Sequence, residues 1–332
     1  MQNIFEACPW KTLFIILLVI CFPAAAEIPK EILTKADAGD AAAQYEVGFY
    51  YLTDINAKDQ AKAKSWLEKS AKQKYAPSLY ELGYLTTFYK DEYSIEQGFA
   101  MMNMAAEMGY AKAQNYMGTI RGMRGEHAEA VELFEKAAKQ EYAESMVYLA
   151  DYYENGQVVA KNPDKAMELI NRAIAQGNYA AKNWLGKKYA EGRGVKKDPK
   201  KAFQLYSETA AANNPEGQHL LAYSYRNGLG TKKNYPESVR YARLAIGQYN
   251  IEAAGDLGSN YLTGSGVSKN TVLGLALIQH CGKLCRSEML TQLLIVSKQI
   301  SESQVLEAER LSERMHRETN ILAIVDEVAR AK

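Results

Sequence analysis

The stretch from Tyr189 to Ala202, YAEGRGVKKDPKKA, admits two readings. Two glycines one residue apart beside a run of lysines suit a loop that cradles phosphate, and they equally suit a hinge between two helices. A phosphate cradle needs a β-strand before the glycines and a helix opening directly after them. No alternating strand pattern precedes Tyr189. The chain also contains YENGQVVAKNPDKA at 153–166, YRNGLGTKKNYPES at 225–238 and YLTGSGVSKNTVLG at 261–274. Each opens on tyrosine, and the starts lie 36 residues apart. The stretch is therefore one copy of a repeated hinge. Gly192 is placed to take the left-handed conformation that ends a helix, and Pro199 stands at a helix start.

The repeat extends beyond the hinge. A column of small residues runs Gly48, Gly83, Gly118, Ala150, Gly186, Ala222, Gly258, with steps of 35, 35, 32, 36, 36 and 36. One position earlier stands a large apolar residue: Val47, Leu82, Met117, Leu149, Leu185, Leu221, Leu257. Five positions earlier every residue is small, from Ala43 and Ser78 to Gly217 and Ala253. Three positions later a tyrosine recurs at Tyr51, Tyr153, Tyr189, Tyr225 and Tyr261. These offsets share one side of a helix. A second column, Ala63, Gly98, Ala130, Ala166, Ala202, Ser238, Gly274, has its own large and small partners at helical spacing. Each unit is predicted to be helix A, a turn, helix B and a short joint.

The pattern A.AQ..LG..Y..G.GV..D..KA resembles the Sel-like repeat, a relative of the tetratricopeptide repeat with a longer loop between its helices. The match is tightest over 180–211 and covers residues 36–281 in seven units. Unit three has a shortened loop, and units one and two lack the double glycine. The resemblance implies an all-α fold: a right-handed α/α superhelical solenoid of about seven helix-turn-helix repeats whose A helices line a concave groove. It also implies a scaffold or adaptor that holds a protein or peptide partner.

The ends differ from the repeats. Residues 1–26 combine a short lead, the apolar run TLFIILLVICF and the small-residue segment PAAA, the order of a cleaved secretory signal with its cut after Ala26. The run is shorter than the ~20 residues a spanning helix needs. No membrane span is expected after cleavage, and the location is expected to be periplasmic or secreted. Residues 27–35 form a lead-in, and 282–332 are expected to be helices capping the last apolar face of the stack. The segments SEMLTQLLIVSKQI and SESQVLEAERLSERMHRETNILAIVDEVARA both read as helical, the second with a serine start. Cys281 and Cys285 remain after cleavage and are read as a local disulfide or as idle thiols, in preference to a redox pair or a metal site with His280.

Composition excludes little. The formal net charge is +1, so no global bias toward nucleic acid or membrane exists, and no nucleic-acid partner is expected. The 23 tyrosines, against 8 phenylalanines, are the one oddity. The four histidines fall in different units or in the tail, and no HExxH, GxSxG, SxxK or KTG motif occurs. The regular cysteine pairs of β-lactam-binding relatives are also missing. The chain is read as a non-enzyme with no catalytic residue, metal or cofactor. A β-lactam-binding or hydrolytic enzyme and an anionic-polysaccharide module are the rival classes.

On helix A the side opposite the core carries Tyr45, Phe49, Tyr80 and Tyr84 in units one and two, and Asn183, Lys187, His219 and Tyr223 in units five and six. These are the candidate partner-binding residues. A basic cluster comprises Lys188, Arg193, Lys196, Lys197, Lys200, Lys201, Lys232 and Lys233, with Arg240 and Arg243 nearby. An acidic protein or an anionic polymer would suit it, through contacts that are individually weak and salt-sensitive.

Overall fold

A computed structural model describes residues 28–53, 59–88, 95–282, 295–296, 298–318 and 320–331. The signal at 1–26, Cys285 and most of the helix expected from 287 to 300 lie outside the described residues. Within them there are 17 helices and no strand. The chain divides into two compact units between Asn178 and Tyr179.

The first unit opens with α1 (Lys30–Asp37), so the boundary drawn at residue 36 falls inside a helix. Hairpins follow: α2 (Ala41–Thr53) with α3 (Gln60–Lys72), and α4 (Ala76–Phe88) with α5 (Ile95–Glu107). Two more are α6 (Ala111–Met123) with α7 (His127–Lys139), and α8 (Ala143–Asn155) with α9 (Pro163–Ala175). The second unit holds α10 (Tyr179–Glu191) with α11 (Pro199–Ala211), and α12 (Pro215–Asn227) with α13 (Tyr235–Ile246). Then come α14 (Glu252–Thr263) with α15 (Thr271–Cys281), and the terminal helices α16 (Glu302–Arg317) and α17 (Ile321–Arg330). Within each unit consecutive helices pack on one another, so each is a stack of hairpins. The fold is an all-α solenoid of helix-turn-helix repeats.

Small residues let each A helix pack closely on the helix before it and on its own B partner. Ala43, Ser78, Ala113, Ser145, Ala181 and Ala253 are all buried, and so are Val47, Leu82, Met117, Leu149, Leu221 and Leu257. A Cβ added to Gly83 would stand 2.6 Å from the Gly98 carbonyl oxygen, and one on Gly258 would stand 2.7 Å from that of Gly274. At those two hairpins backbone meets backbone. In the third hairpin the space over Gly118 is filled by the Phe134 ring.

The hinge has a fixed hydrogen-bond pattern. The backbone N–H at the start of helix B donates to the carbonyl of the recurrent tyrosine: Asp59 to Tyr51, Asn162 to Tyr153, Asp198 to Tyr189, Asn234 to Tyr225 and Asn270 to Tyr261. The side chain of the same Asp or Asn then accepts from the backbone N–H three residues on, which caps helix B. Gly192 takes φ +76°, as the hinge reading requires.

The terminal helices pack on the last hairpin. Ala308 and Met315 of α16, with Ile321, Ile324 and Val325 of α17, join Leu257, Leu273 and Leu277 in one buried cluster. Ser301 starts α16 with a full capping box to Gln304. Cys281 is buried and disulfide-bonded. His280 faces His316 of α16, Nδ1 to Nδ1, at 3.2 Å.

Candidate functional site

The tyrosines gather in the first unit. Tyr45 stacks on Phe49 with centroids 5.7 Å apart, and Tyr80 stacks on Tyr84 at 6.5 Å. These are i,i+4 pairs on successive A helices. Tyr110 and Tyr116 meet Tyr80 edge-on at 5.8 and 5.9 Å, and Tyr116 also meets Tyr84 at 6.2 Å. The ring centroid of Tyr75 lies 5.7 Å from that of Tyr45. Edge-on and offset aromatic contacts of this kind hold rings in fixed orientations.

A charge pair lies inside the cluster. Lys112 donates to the buried Glu81 carboxylate at 2.7 Å, and its ammonium stands 4.8 Å over the Tyr80 ring. Burial first, and the Glu81 charge among the further causes, pushes Tyr45, Tyr80, Tyr110 and Tyr142 well above the usual phenol range. The phenols therefore stay protonated and able to donate hydrogen bonds. Phe49, Tyr84 and Tyr148 reach the surface with 36%, 39% and 42% exposure. The result is a rigid aromatic face with polar rims, the chemistry that gives large contact area at little entropic cost.

The expected residues divide by position. Tyr45 is half-buried and Tyr80 is buried, so both support the face, while Phe49 and Tyr84 present it. Tyr75, Tyr110, Tyr116, Tyr142 and Tyr148 escaped the sequence reading. Three of these, Tyr75, Tyr110 and Tyr142, form a column eight positions before the small-residue column, where the other units carry Asp40, Asn178, Asn214 and Asn250.

In the second unit the expected groove is corrected. Asn183 has no exposed surface; it accepts from Thr209 at 2.7 Å and donates to Asn214 at 3.1 Å. His219 is buried between Asp256 and Glu252 at 3.1 and 3.3 Å. These polar side chains join neighbouring helices and offer nothing to a partner. Lys187 is paired with Glu216 at 2.6 Å, and Tyr223 is half-buried. Lys188 leaves the basic cluster, because it is buried with its ammonium 4.6 Å over the Trp184 ring. Arg193 pairs with Glu191, and Lys201 lies over Tyr189 at 5.1 Å. Arg240 pairs with Glu237 and Arg243 with Asp326. Lys196, Lys197, Lys200, Lys232 and Lys233 remain exposed.

Among the described residues no group of three or more His, Cys, Asp and Glu could hold a metal, and no helix is long and apolar enough to cross a membrane.

Comparison with known proteins agrees with this architecture. The Sel1 repeat family model matches residues 41–75, 76–110, 111–142, 143–178, 180–214, 215–250 and 251–279. An uncharacterized Sel1-like repeat-containing protein of Schizosaccharomyces pombe is 33% identical over 100 residues, which cover 30% of this chain and 15% of that protein's length. In fold the chain resembles a protective antigen present in uropathogenic Escherichia coli strains displaying an SLR fold. The TM-score there is 0.53 at 24% identity, covering 86% of this chain and 70% of the other. A Sel1 repeat protein from Oxalobacter formigenes aligns at 20% identity with a TM-score of 0.44, covering 80% of this chain and 90% of its own. Sel1 repeat proteins generally serve as protein-interaction scaffolds, and the fold is typically non-catalytic. Each of the seven matched segments coincides with one of the helical hairpins described above, and the chain belongs to the Sel1 repeat family.

Proposed function

We propose that this protein is an exported adaptor of the bacterial cell envelope that holds a protein or peptide partner on the aromatic face of its first unit. The observation that carries the reading is the tyrosine cluster around Glu81 and Lys112, with Phe49, Tyr84 and Tyr148 at the surface. Half-exposed aromatic rings on a rigid support are the usual anchors of protein interfaces. Export rests on the order of residues 1–26: short lead, apolar run, small residues.

The test is a photo-crosslinking residue placed at Tyr84 in living cells, with Glu191 in the second unit as the comparison site. One or a few discrete envelope proteins should be captured from position 84 and lost when Phe49 is changed to Ala. Equal, diffuse labelling from both sites would reject the reading. Export is checked separately, by the mass of the purified chain and its recovery in the periplasmic or extracellular fraction.

A further inference from the structure

The second unit carries a feature that the protein-binding reading does not use. At each of its hinges the lysine five residues after the helix-ending glycine is laid against that glycine. A Cβ added to Gly192 would stand 3.0 Å from Lys197 Cβ, and one on Gly264 would stand 3.3 Å from Lys269 Cβ. On Gly228 it would stand 3.2 Å from Lys233 Cγ. The three stems therefore leave the backbone at equivalent points of three successive repeats. Lys196 and Lys232 double the column in two of them.

The hinges are also nested on one another. Gly230 sits so close to the start of α11 that a Cβ there would lie 2.0 Å from the Pro199 carbonyl oxygen. Gly266 sits likewise on Tyr235, with 2.7 Å left. These two hinges thus rest on the first turn of helix B of the repeat before them. This brings Lys196, Lys197, Lys200, Lys232, Lys233 and Lys269, all exposed, to one edge of the unit. None of the six has an acidic partner within 4.0 Å among the described residues. The nearby acids are engaged elsewhere: Asp198 caps α11, Glu191 pairs with Arg193, and Glu237 pairs with Arg240.

We infer that this edge binds a linear polysaccharide bearing repeated anionic groups. Charge selects the class, because six uncompensated ammonium groups on one edge attract an extended polyanion. The surroundings select a polysaccharide over an acidic protein. Among the described residues of this unit the exposed large hydrophobics are Leu244, Tyr249, Ile251, Ile295 and Leu306, and none of these lies on a hinge. Protein interfaces are built around buried aromatic and arginine anchors and are depleted in lysine. Lysines are flexible point charges without a fixed donor geometry. Helices pack about 8–10 Å apart, so the lysine column recurs at about that interval, and a chain with a charge on each sugar or each disaccharide meets it repeatedly. The inference stands apart from the aromatic face and does not need it.

The test uses the full chain and two probes, an oligogalacturonate for carboxylate and a phosphate-bearing oligosaccharide for phosphate. Binding is read by calorimetry at low and at physiological salt. The triple variant Lys197→Gln, Lys233→Gln, Lys269→Gln is compared with the control triple Lys72→Gln, Lys139→Gln, Lys298→Gln, which removes the same charge elsewhere. Exposed ion pairs each change affinity by a small factor, so the hinge triple should bind roughly tenfold more weakly with a shallower salt dependence, and the control should bind as wild type. Preference between the two probes identifies the anionic group. Equal loss in both triples, no binding to either probe, or tighter binding to a polyglutamate peptide or to single-stranded DNA would overturn the inference. Circular dichroism of both variants should match wild type, since all six residues are exposed.

Discussion

His219 and Asp256 form a buried ion pair between the A helices of consecutive repeats: Nε2 of the imidazole lies 3.1 Å from Oδ2 of a carboxylate with no exposed surface. Glu252 stands 3.3 Å from the other ring nitrogen, and Arg226 lies 3.8 Å from Asp256. Burial alone would lower the imidazole's pKa, but Asp256 and then Glu252 outweigh it and hold the group at about 9. The unfolded value is about 6.5. A raised folded value stabilises fully below the unfolded pKa, and that stability is lost as pH rises through the folded one. The difference in urea stability between wild type and His219→Gln should therefore be largest near pH 6 and shrink toward pH 10. About 1–3 kcal/mol is expected to disappear across that window. A difference that stays constant with pH would mean the imidazole pKa is not raised in the fold.

Gly230 tests the nesting of the hinges. A Cβ at Gly230 would sit 2.0 Å from a backbone oxygen of the preceding repeat, whereas one at Gly194 meets nothing within 4 Å. Both residues hold φ above +70°. Gly194→Ala should cost only the left-handed penalty, about 1 kcal/mol. Gly230→Ala adds a backbone clash to that and should cost at least ~1–3 kcal/mol more. Equal costs in chemical denaturation would show that the hinge moves freely off α11.

Much of this was legible in the sequence because repetition samples one structural position seven times. A single glycine is ambiguous, but Gly48, Gly83, Gly118 and Gly258 in one column define a helix contact. The candidate face was less legible because one outward column has different surroundings in different repeats. Asn183 and His219 occupy that column, yet the helices packed beside them supply Asn214 and Thr209, or Glu252 and Asp256, as polar partners. Their burial depends on the facing helices and not on their own offset. Lys188 follows Trp184 by one helical turn, and its stem is drawn onto the indole. That spacing was readable, whereas the choice between indole and solvent depends on packing.

Val158 departs from its own repeat. It stands two residues after Gly156, where the later hinges place Gly194, Gly230 and Gly266, and it shares their conformation with φ +71°. A β-branched residue in this region is strained by about 1–3 kcal/mol. Val158→Gly relieves the strain but frees the unfolded chain, which offsets part of the gain. A net stabilisation of about 1 kcal/mol is expected, read as a higher urea midpoint with unchanged slope. The side chain is 55% exposed, so little packing is lost. A lower midpoint would mean Val158 makes a contact worth more than its strain.

The tyrosines at the starts of the A helices separate binding from stability. At Asp40, Asn214 and Asn250 the side chain accepts from the backbone N–H three residues on, at 2.7, 2.8 and 2.9 Å. Tyr110 and Tyr142 occupy the same position with no such bond. Forgoing a cap costs about 1 kcal/mol, and their rings instead join the aromatic face. In Tyr142→Asn the regained cap offsets part of the loss of a half-buried ring. Stability should remain within about 1 kcal/mol of wild type, while crosslinking from position 84 falls several-fold. If the ring served packing alone, stability would drop by about 3 kcal/mol, as for other large-to-small changes. Capture per folded molecule would then be unchanged. The two outcomes differ in which measurement moves, so one variant assigns the column to recognition or to the core.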